Sequence, residues 1–269
     1  AGEPAWAADG RWFASGVYNT VQRWAADGGQ DPLMIPGSDE IRRGIALSPD
    51  GRRLATVTDH QARLWDANTG KALASAPCGA GEFSEIAFTP DGKYLLATVN
   101  ADGDKRPAPG HSRLVVRSAD TLEVLRELAA PGRQSGIAVS PGRDLVVTAG
   151  ELPGMKEALF VWSLESGLLV RTVETVGGRW PGFSRDGRCL ATFGGGKMTV
   201  WDAATWVPIG SVPTSDDLPH VDLSPDGSQV VAAGDRAAVL WDVGTGREVR
   251  RLAPETAGAG GWPSRRTAG

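Results

Sequence analysis

Catalytic or metal-binding chemistry needs titratable side chains gathered in a pattern, and this sequence offers few of them. Its three His, His60, His111 and His220, are scattered, and none shares a short motif with a Cys or a carboxylate, so zinc spacing is absent. Cys78 reads as a loop residue and Cys189 as a strand residue, two free thiols rather than a disulfide or a nucleophile–base pair. Gly194-Gly195-Gly196-Lys197 fits a turn between strands; it lacks the upstream Gly and the following Ser or Thr of a phosphate-cradling loop. There is no Gly-x-Ser-x-Gly elbow. The one set that could do chemistry is Glu85, His220 and Asp222, each on a strand that would line a central channel, where carboxylates could hold a divalent cation. Solvated polar lining is the favoured reading of that set. No catalytic, metal-binding or cofactor-binding residue is assigned, and no cofactor is expected.

The chain has 269 residues with a formal net charge of −4, which removes the electrostatic footprint of a general nucleic-acid binder. No apolar run approaches the roughly 20 residues that a membrane-spanning helix needs. Gly and Pro, 36 and 18 residues, mark a chain that turns often. Residue 1 is Ala rather than Met, a start compatible with a leader, an anchor or a domain upstream. Free thiols favour a reducing interior, and a cytoplasmic location is the expectation.

The elements that would position any site come from an internal repeat. Ser48-Pro49-Asp50-Gly51 returns as Thr89-Pro90-Asp91-Gly92, Ser184-Arg185-Asp186-Gly187 and Ser224-Pro225-Asp226-Gly227, with looser copies at Ala7-Ala8-Asp9-Gly10 and Ser140-Pro141-Gly142-Arg143. Downstream of each lies a second string: Arg23-Trp24-Ala25, Leu64-Trp65-Asp66, Val116-Arg117-Ser118, Val161-Trp162-Ser163, Val200-Trp201-Asp202 and Leu240-Trp241-Asp242. Successive anchors are 41, 41, 51, 44 and 40 residues apart, the period of a four-stranded propeller blade. The first string suits a type I turn, the segment after it alternates as a strand does, and Asp66–Gly70 makes a second turn. The prediction is an all-β propeller of four-stranded antiparallel blades, six of them visible. Its units are about 1–36, 37–77, 78–130, 131–173, 174–212 and 213–252, with a disordered tail over 253–269. Thr121–Ala129 has helical propensity, but the repeat register makes it a fourth strand. Trp24, Trp65, Trp162, Trp201 and Trp241 would fill the seams between blades.

The paired strings resemble the tryptophan–aspartate (WD) repeat propellers, over about residues 3–252, and the prokaryotic branch of that family in particular. The resemblance implies a non-catalytic protein-interaction scaffold or sensor module. It also implies a hydrogen-bond network among Trp, a turn Asp and a His; Asp59 and Asp235 keep the turn Asp, but the Gly-His pair upstream of each unit is missing. Members commonly have seven blades, and neither end of this chain visibly lends a strand to the other's blade. Two readings stay open, a six-bladed ring closed without a shared strand and a ring with a further blade upstream, the second being preferred. Resemblance also suggests a bacterial signalling protein, and it supplies the alternative from another class, a lactonase-like enzyme using a divalent metal in the channel.

Binding is expected on the face built by the inter-blade loops and the loops between second and third strands. Two adjacent units carry insertions there, Asn100–His111 with Asp104, Lys105 and Arg106, and Gly150–Lys156 with Leu152 and Met155. Trp180 beside Arg179 starts a first strand where no other unit has an aromatic, and His220 lies near the channel mouth. These residues form the candidate partner site. The expected partner is another protein or peptide, or an upstream domain of the same polypeptide, rather than nucleic acid or membrane.

Overall fold

The structure is a computed structural model, and it describes residues 5–6, 12–17, 20–25, 33–36, 44–58, 61–77, 82–100, 112–142, 144–152, 154, 156–213, 220–233 and 238–252. These form strands and turns with no helix among them, arranged as six four-stranded antiparallel sheets, each a meander of consecutive strands. Blade 1 runs from Ala5–Trp6 to Leu33–Pro36, blade 2 from Gly44–Leu47 to Ala72–Pro77, and blade 3 from Glu82–Phe88 to Val124–Ala130. Blade 4 runs from Arg133–Val139 to Leu169–Glu174, blade 5 from Arg179–Phe183 to Pro208–Pro213, and blade 6 from His220–Leu223 to Arg247–Leu252. Each of the two terminal blades is built from its own four strands. The first strands of blades 2 to 5 lie side by side, and the fourth strands are largely exposed.

Where the sequence holds Thr121–Ala129, the register prevails over helical propensity and the fourth strand is Val124–Ala130. The residues before it close a turn: the Leu122 N–H donates to the Ser118 carbonyl at 2.9 Å, with Leu122 in the left-handed region.

Every hydrophobic cluster of the described residues lies between consecutive blades. Trp65 packs with Trp12, Val21 and Ile35 of blade 1; Leu64 and Val57 of blade 2 pack with Ile86 and Val115 of blade 3. Phe160 and Trp162 join Leu96 and Leu114 across the next seam, Trp201 and Trp206 join Leu159 and Val161, and Val230 joins Val200 and Met198. A single sheet cannot bury both faces alone, so the core is the set of seams. Trp65, Trp162, Trp201 and Trp241 each contact the preceding blade's cluster, and a fully buried indole contributes on the order of 2–3 kcal/mol. Trp24 of blade 1 stacks on Phe13, with centroids 6.4 Å apart.

A hydroxyl on the second strand fixes three of these indoles. Trp65 Nε1 donates to Thr56 Oγ1 at 2.9 Å, Trp162 to Thr148 at 3.0 Å, and Trp201 to Thr192 at 2.9 Å. The register explains the pairing, since each Thr stands two residues after the strand partner of its Trp. In blade 6 that position is Ala232, and the buried Trp241 Nε1 has no acceptor among the described residues. In blade 3 Arg117 replaces the Trp; its guanidinium is buried and donates to the carbonyls of Leu122 at 2.7 Å and of Pro77 in blade 2 at 3.0 Å, so it bridges the seam by hydrogen bonds.

The turns between first and second strands are braced from within. Ser48 Oγ donates to Asp50 at 2.6 Å and accepts from the Arg53 N–H at 2.8 Å, and the Thr89–Asp91, Ser184–Asp186 and Ser224–Asp226 pairs repeat the hydroxyl–carboxylate bond. The Gly that ends each of these strings has φ near 70°, and Gly187 and Gly227 lie close against the preceding blade: a Cβ on Gly187 would come within 3.3 Å of Pro141, and one on Gly227 within 2.5 Å of Cys189 Sγ. Asp66, Asp202 and Asp242 cap the turns between third and fourth strands through Thr69, Thr205 and Thr245. Asp59 and Asp235, assigned by the resemblance to the turns between second and third strands, lie outside the described residues.

Stability and acid response should both report these braces. Ala232→Thr, which places a hydroxyl at the register position that serves the other indoles, should raise stability by about 1 kcal/mol, whereas Thr192→Ala strands the Trp201 N–H and should cost about 1–3 kcal/mol in urea unfolding. In acid the carboxylates decide. Hydroxyl and backbone N–H donors hold Asp50, Asp66, Asp91 and Asp242 below the ordinary carboxylate range; the Arg188 N–H and then the Ser184 hydroxyl do so for Asp186; and the Ser224 hydroxyl with Ser228 takes Asp226 to about 2. Because these folded-state values lie below the unfolded one, their contribution is complete above about pH 4 and is lost as pH falls toward about 2. Thermal melts should therefore be unaffected by these groups between about pH 8 and 5 and should drop between about pH 4 and 2.

Candidate functional site

Trp180 follows Arg179 at the start of blade 5, where the first strand is irregular: the register shifts between Arg179 and Gly182. The shift puts Trp180 at φ 45°, in the left-handed region, and turns its indole outward with 58% of its surface exposed. Pro181 and the Trp180 backbone press against Gly136 of blade 4, where a Cβ would meet Pro181 Cδ at 2.6 Å and Trp180 N at 3.3 Å. Gly at 136 is thus required for the two first strands to approach.

Arg179 is held by two carboxylates of blade 4, Glu157 at 3.1 Å and Glu151 at 3.5 Å. Glu157 also accepts the N–H of Gly177 and, at 3.2 Å, that of Gly178. The guanidinium therefore ties the start of blade 5 to the hairpin between the second and third strands of blade 4.

That hairpin differs from the expected loop insertion. Gly150, Glu151 and Leu152 continue the second strand and pair with Ala158, Glu157 and Lys156, so the ladder extends almost to the tip. Gly150 is needed inside the strand, because a Cβ there would lie 2.1 Å from the Arg133 carbonyl oxygen. Leu152, expected as an exposed contact, is half-buried and packs against the cluster between blades 3 and 4. Met155, Asp104, Lys105 and Arg106 lie outside the described residues, as do His60, His111 and Cys78. His220 begins the first strand of blade 6, paired with Ala233. The structure thus brings Trp180, Arg179, Glu151 and Glu157 together on one face, with Leu152 at its margin.

Glu85, the carboxylate of the hypothetical metal set, has a local role that sequence alone does not reveal. Its Oε2 accepts the N–H of Ile137 from blade 4 at 2.8 Å, across a seam and 52 residues along the chain. Among the described residues no three His, Cys, Asp or Glu side chains gather as a cation site would require. Beside Glu85, Asn100 and Gln134 exchange bonds across the same seam: Asn100 Nδ2 donates to the Gln134 carbonyl at 2.8 Å, and the Gln134 N–H to Asn100 Oδ1 at 2.7 Å. These polar staples join blades 3 and 4, and neither is signalled by a motif. Cys189 is buried in the second strand of blade 5, and burial pushes its thiol above the ordinary value, which makes it an inert packing group.

Six four-stranded meander blades joined by apolar seams define a β-propeller, and comparison with known proteins agrees. Hydrazine synthase of Kuenenia stuttgartiensis superposes with a TM-score of 0.72 over 89% of this chain and 76% of that one, at 16% identity, a likeness of fold alone. The family model for the WD domain, G-beta repeat, matches residues 34–66 and 207–242. A WD repeat-containing protein of Synechocystis, sll1491, is 30% identical over 92 residues, which is 33% of this chain but only 26% of that protein. The serine-threonine kinase receptor-associated protein of Dictyostelium discoideum is 27% identical over 228 residues, 80% of this chain and 76% of that protein. The chain is a β-propeller, and two of its segments, 34–66 and 207–242, match the WD repeat.

The Glu85 bond yields a discriminating test. Glu85→Ala leaves the Ile137 N–H without its acceptor and should cost about 1–3 kcal/mol, while Glu85→Gln retains an oxygen acceptor and most of the stability. Denaturant unfolding of both variants separates this seam role from a purely channel-facing carboxylate, for which the two would be equally stable.

Proposed function

We propose that this propeller is a non-catalytic protein-interaction module whose partner docks on the face carrying Trp180. The observation that supports it is a contrast among the three non-Gly residues at positive φ in the described chain. Leu122 and Trp206 also occupy the left-handed region, but their side chains are 0% and 8% exposed and fill seams, so burial offsets a backbone cost of about 1–2 kcal/mol. Trp180 bears the same backbone cost with 58% of its surface exposed, so burial of its side chain offsets less of that cost than at the other two. Backbone strain held in place by surrounding structure clusters at functional positions, and a rigid exposed Trp is a common interface anchor. Arg179, fixed by Glu151 and Glu157, presents a preorganised rim beside it. WD-repeat relatives, among them a protein named as associated with a kinase receptor, support a scaffold role at the level of the family. The lactonase-like alternative loses support from the engagement of Glu85 with Ile137.

Trp180→Gly relieves the left-handed strain while removing the indole, so the variant should melt at the same temperature or a few degrees higher. In a quantitative capture experiment from the source cell extract, proteins retained by the wild-type chain should fall at least tenfold with the variant. Equal capture by both chains would place the partner site elsewhere.

A further inference from the structure

Repeat-equivalent positions show which apolar faces of the stack are covered. On the face that a blade turns toward its successor, a second-strand residue stands opposite the residue before the Trp position: Ala55 with Leu64, Leu96 with Val116, Val147 with Val161, and Ala191 with Val200. All of these are buried at 5% exposure or less, each pair within the cluster it shares with the next blade. The matching pair in blade 6 is Val231 with Leu240. Val231 is 39% exposed, Leu240 is half-buried, and neither belongs to a cluster.

The face that a blade turns toward its predecessor repeats the contrast. Leu54, Leu95, Val146, Leu190 and Val230 stand opposite the Trp position of their blades and are buried at 1% or less. In blade 1 that pair is Phe13 with Trp24; the rings stack on each other, and both stay half-buried outside the clusters. Among the described residues no apolar cluster joins blade 6 to blade 1, and no strand of one pairs with a strand of the other. The two end faces carry side chains of the same kind as the inner faces but do not cover each other as the inner faces do.

We infer that these end faces are docking surfaces for one further four-stranded blade of the same polypeptide, stacked between blade 6 and blade 1. Two apolar end faces call for a body that is apolar on two faces. A sheet of this repeat is such a body, whereas a lone amphipathic helix is apolar along one stripe. Every covered face in the molecule is covered by a blade, so the two new seams continue the established ones. Every closed seam also joins units consecutive in the chain, which assigns the added blade to the same polypeptide rather than to a second copy. Toward blade 6 it presents a bulky third-strand side chain, as Trp65, Trp162 and Trp201 do at their seams, and toward blade 1 an aliphatic pair like Ala55 and Leu64. Of the two closures that the sequence leaves open, the exposures favour the further blade.

The test extends the full chain ahead of Ala1 with a second copy of residues 37–77, the unit of blade 2, whose two faces already close seams on both sides. The extended chain should melt at least about 5 °C above the parent, because the added seams bury Val231, Leu240, Phe13 and Trp24. Val231→Asp supplies the site-specific readout. In the parent it should move the melting temperature by no more than about 2 °C, and in the extended chain it should lower it by at least about 5 °C. Val147→Asp, at the same register position in a closed seam, should abolish folding of the parent. The proposal is overturned if the extension brings no rise in melting temperature or if Val231→Asp costs the same in both chains. It is overturned equally if Val231→Asp costs the parent as much as Val147→Asp, the result expected of a six-bladed ring already closed. A parent that sediments as a dimer, and as a monomer once Val231→Asp is introduced, would overturn it by giving the face to a second copy. None of these outcomes bears on the Trp180 reading.

Discussion

A four-stranded blade has two faces and can bury neither by itself; every other feature of this molecule answers that constraint. The apolar clusters of the described residues all straddle consecutive blades, so stability resides in the seams rather than in the sheets. Chain connectivity obeys the same logic. The family match over 34–66 runs from the last strand of blade 1 through the third strand of blade 2, and the match over 207–242 spans blades 5 and 6 in the same way. The sequence repeat is therefore offset by one strand from the structural blade, and each repeat crosses a seam that its own Trp helps to fill.

Polar groups tighten what apolar packing closes. In three blades a Thr on the neighbouring strand orients the Trp; where Arg117 takes its place, hydrogen bonds to two backbone carbonyls substitute for the indole's area. The first-turn glycines contribute at the edge of the same seams. Their positive φ suits the turn, and at Gly187 and Gly227 the lack of a Cβ also lets the turn settle on the preceding blade. One residue type thus meets a local and a tertiary requirement together, which is the consistency between levels that lets a repeat fold without frustration.

Local signals made the architecture legible. Turn strings at a fixed period and alternating segments between them suffice to predict four-stranded blades, and they override the helical propensity before Ala130. Legibility failed where meaning depended on a neighbour distant in the chain. Gly150 reads as the start of a loop insertion, yet it sits in a strand where the Arg133 carbonyl approaches it. Glu85 reads as a channel carboxylate, yet its oxygen serves an N–H in the next blade. Arg179 reads as part of a partner site beside Trp180, and the two glutamates of blade 4 that hold it are not visible in the local sequence. In each case the deciding partner lies on another strand, beyond any short window of local sequence.

Repeats also supply their own controls, since the same backbone position occurs several times with different side chains. At the close of the turn between third and fourth strands, Gly70, Gly167 and Gly246 adopt positive φ freely, and Leu122 and Trp206 adopt it at a cost that seam burial offsets. Trp180 lies outside that position and shares the backbone state without the burial. At the first turn, four hydroxyls have a carboxylate and Ser140 alone, among the described turns, does not. Both departures flank blade 4, on opposite faces. Neither departure stands apart from the seams: the Trp180 backbone and Pro181 pack on Gly136 of blade 4, and the turn of Pro141 and Ser140 packs on Gly187 of blade 5, so each departure is held by the contact between neighbouring blades.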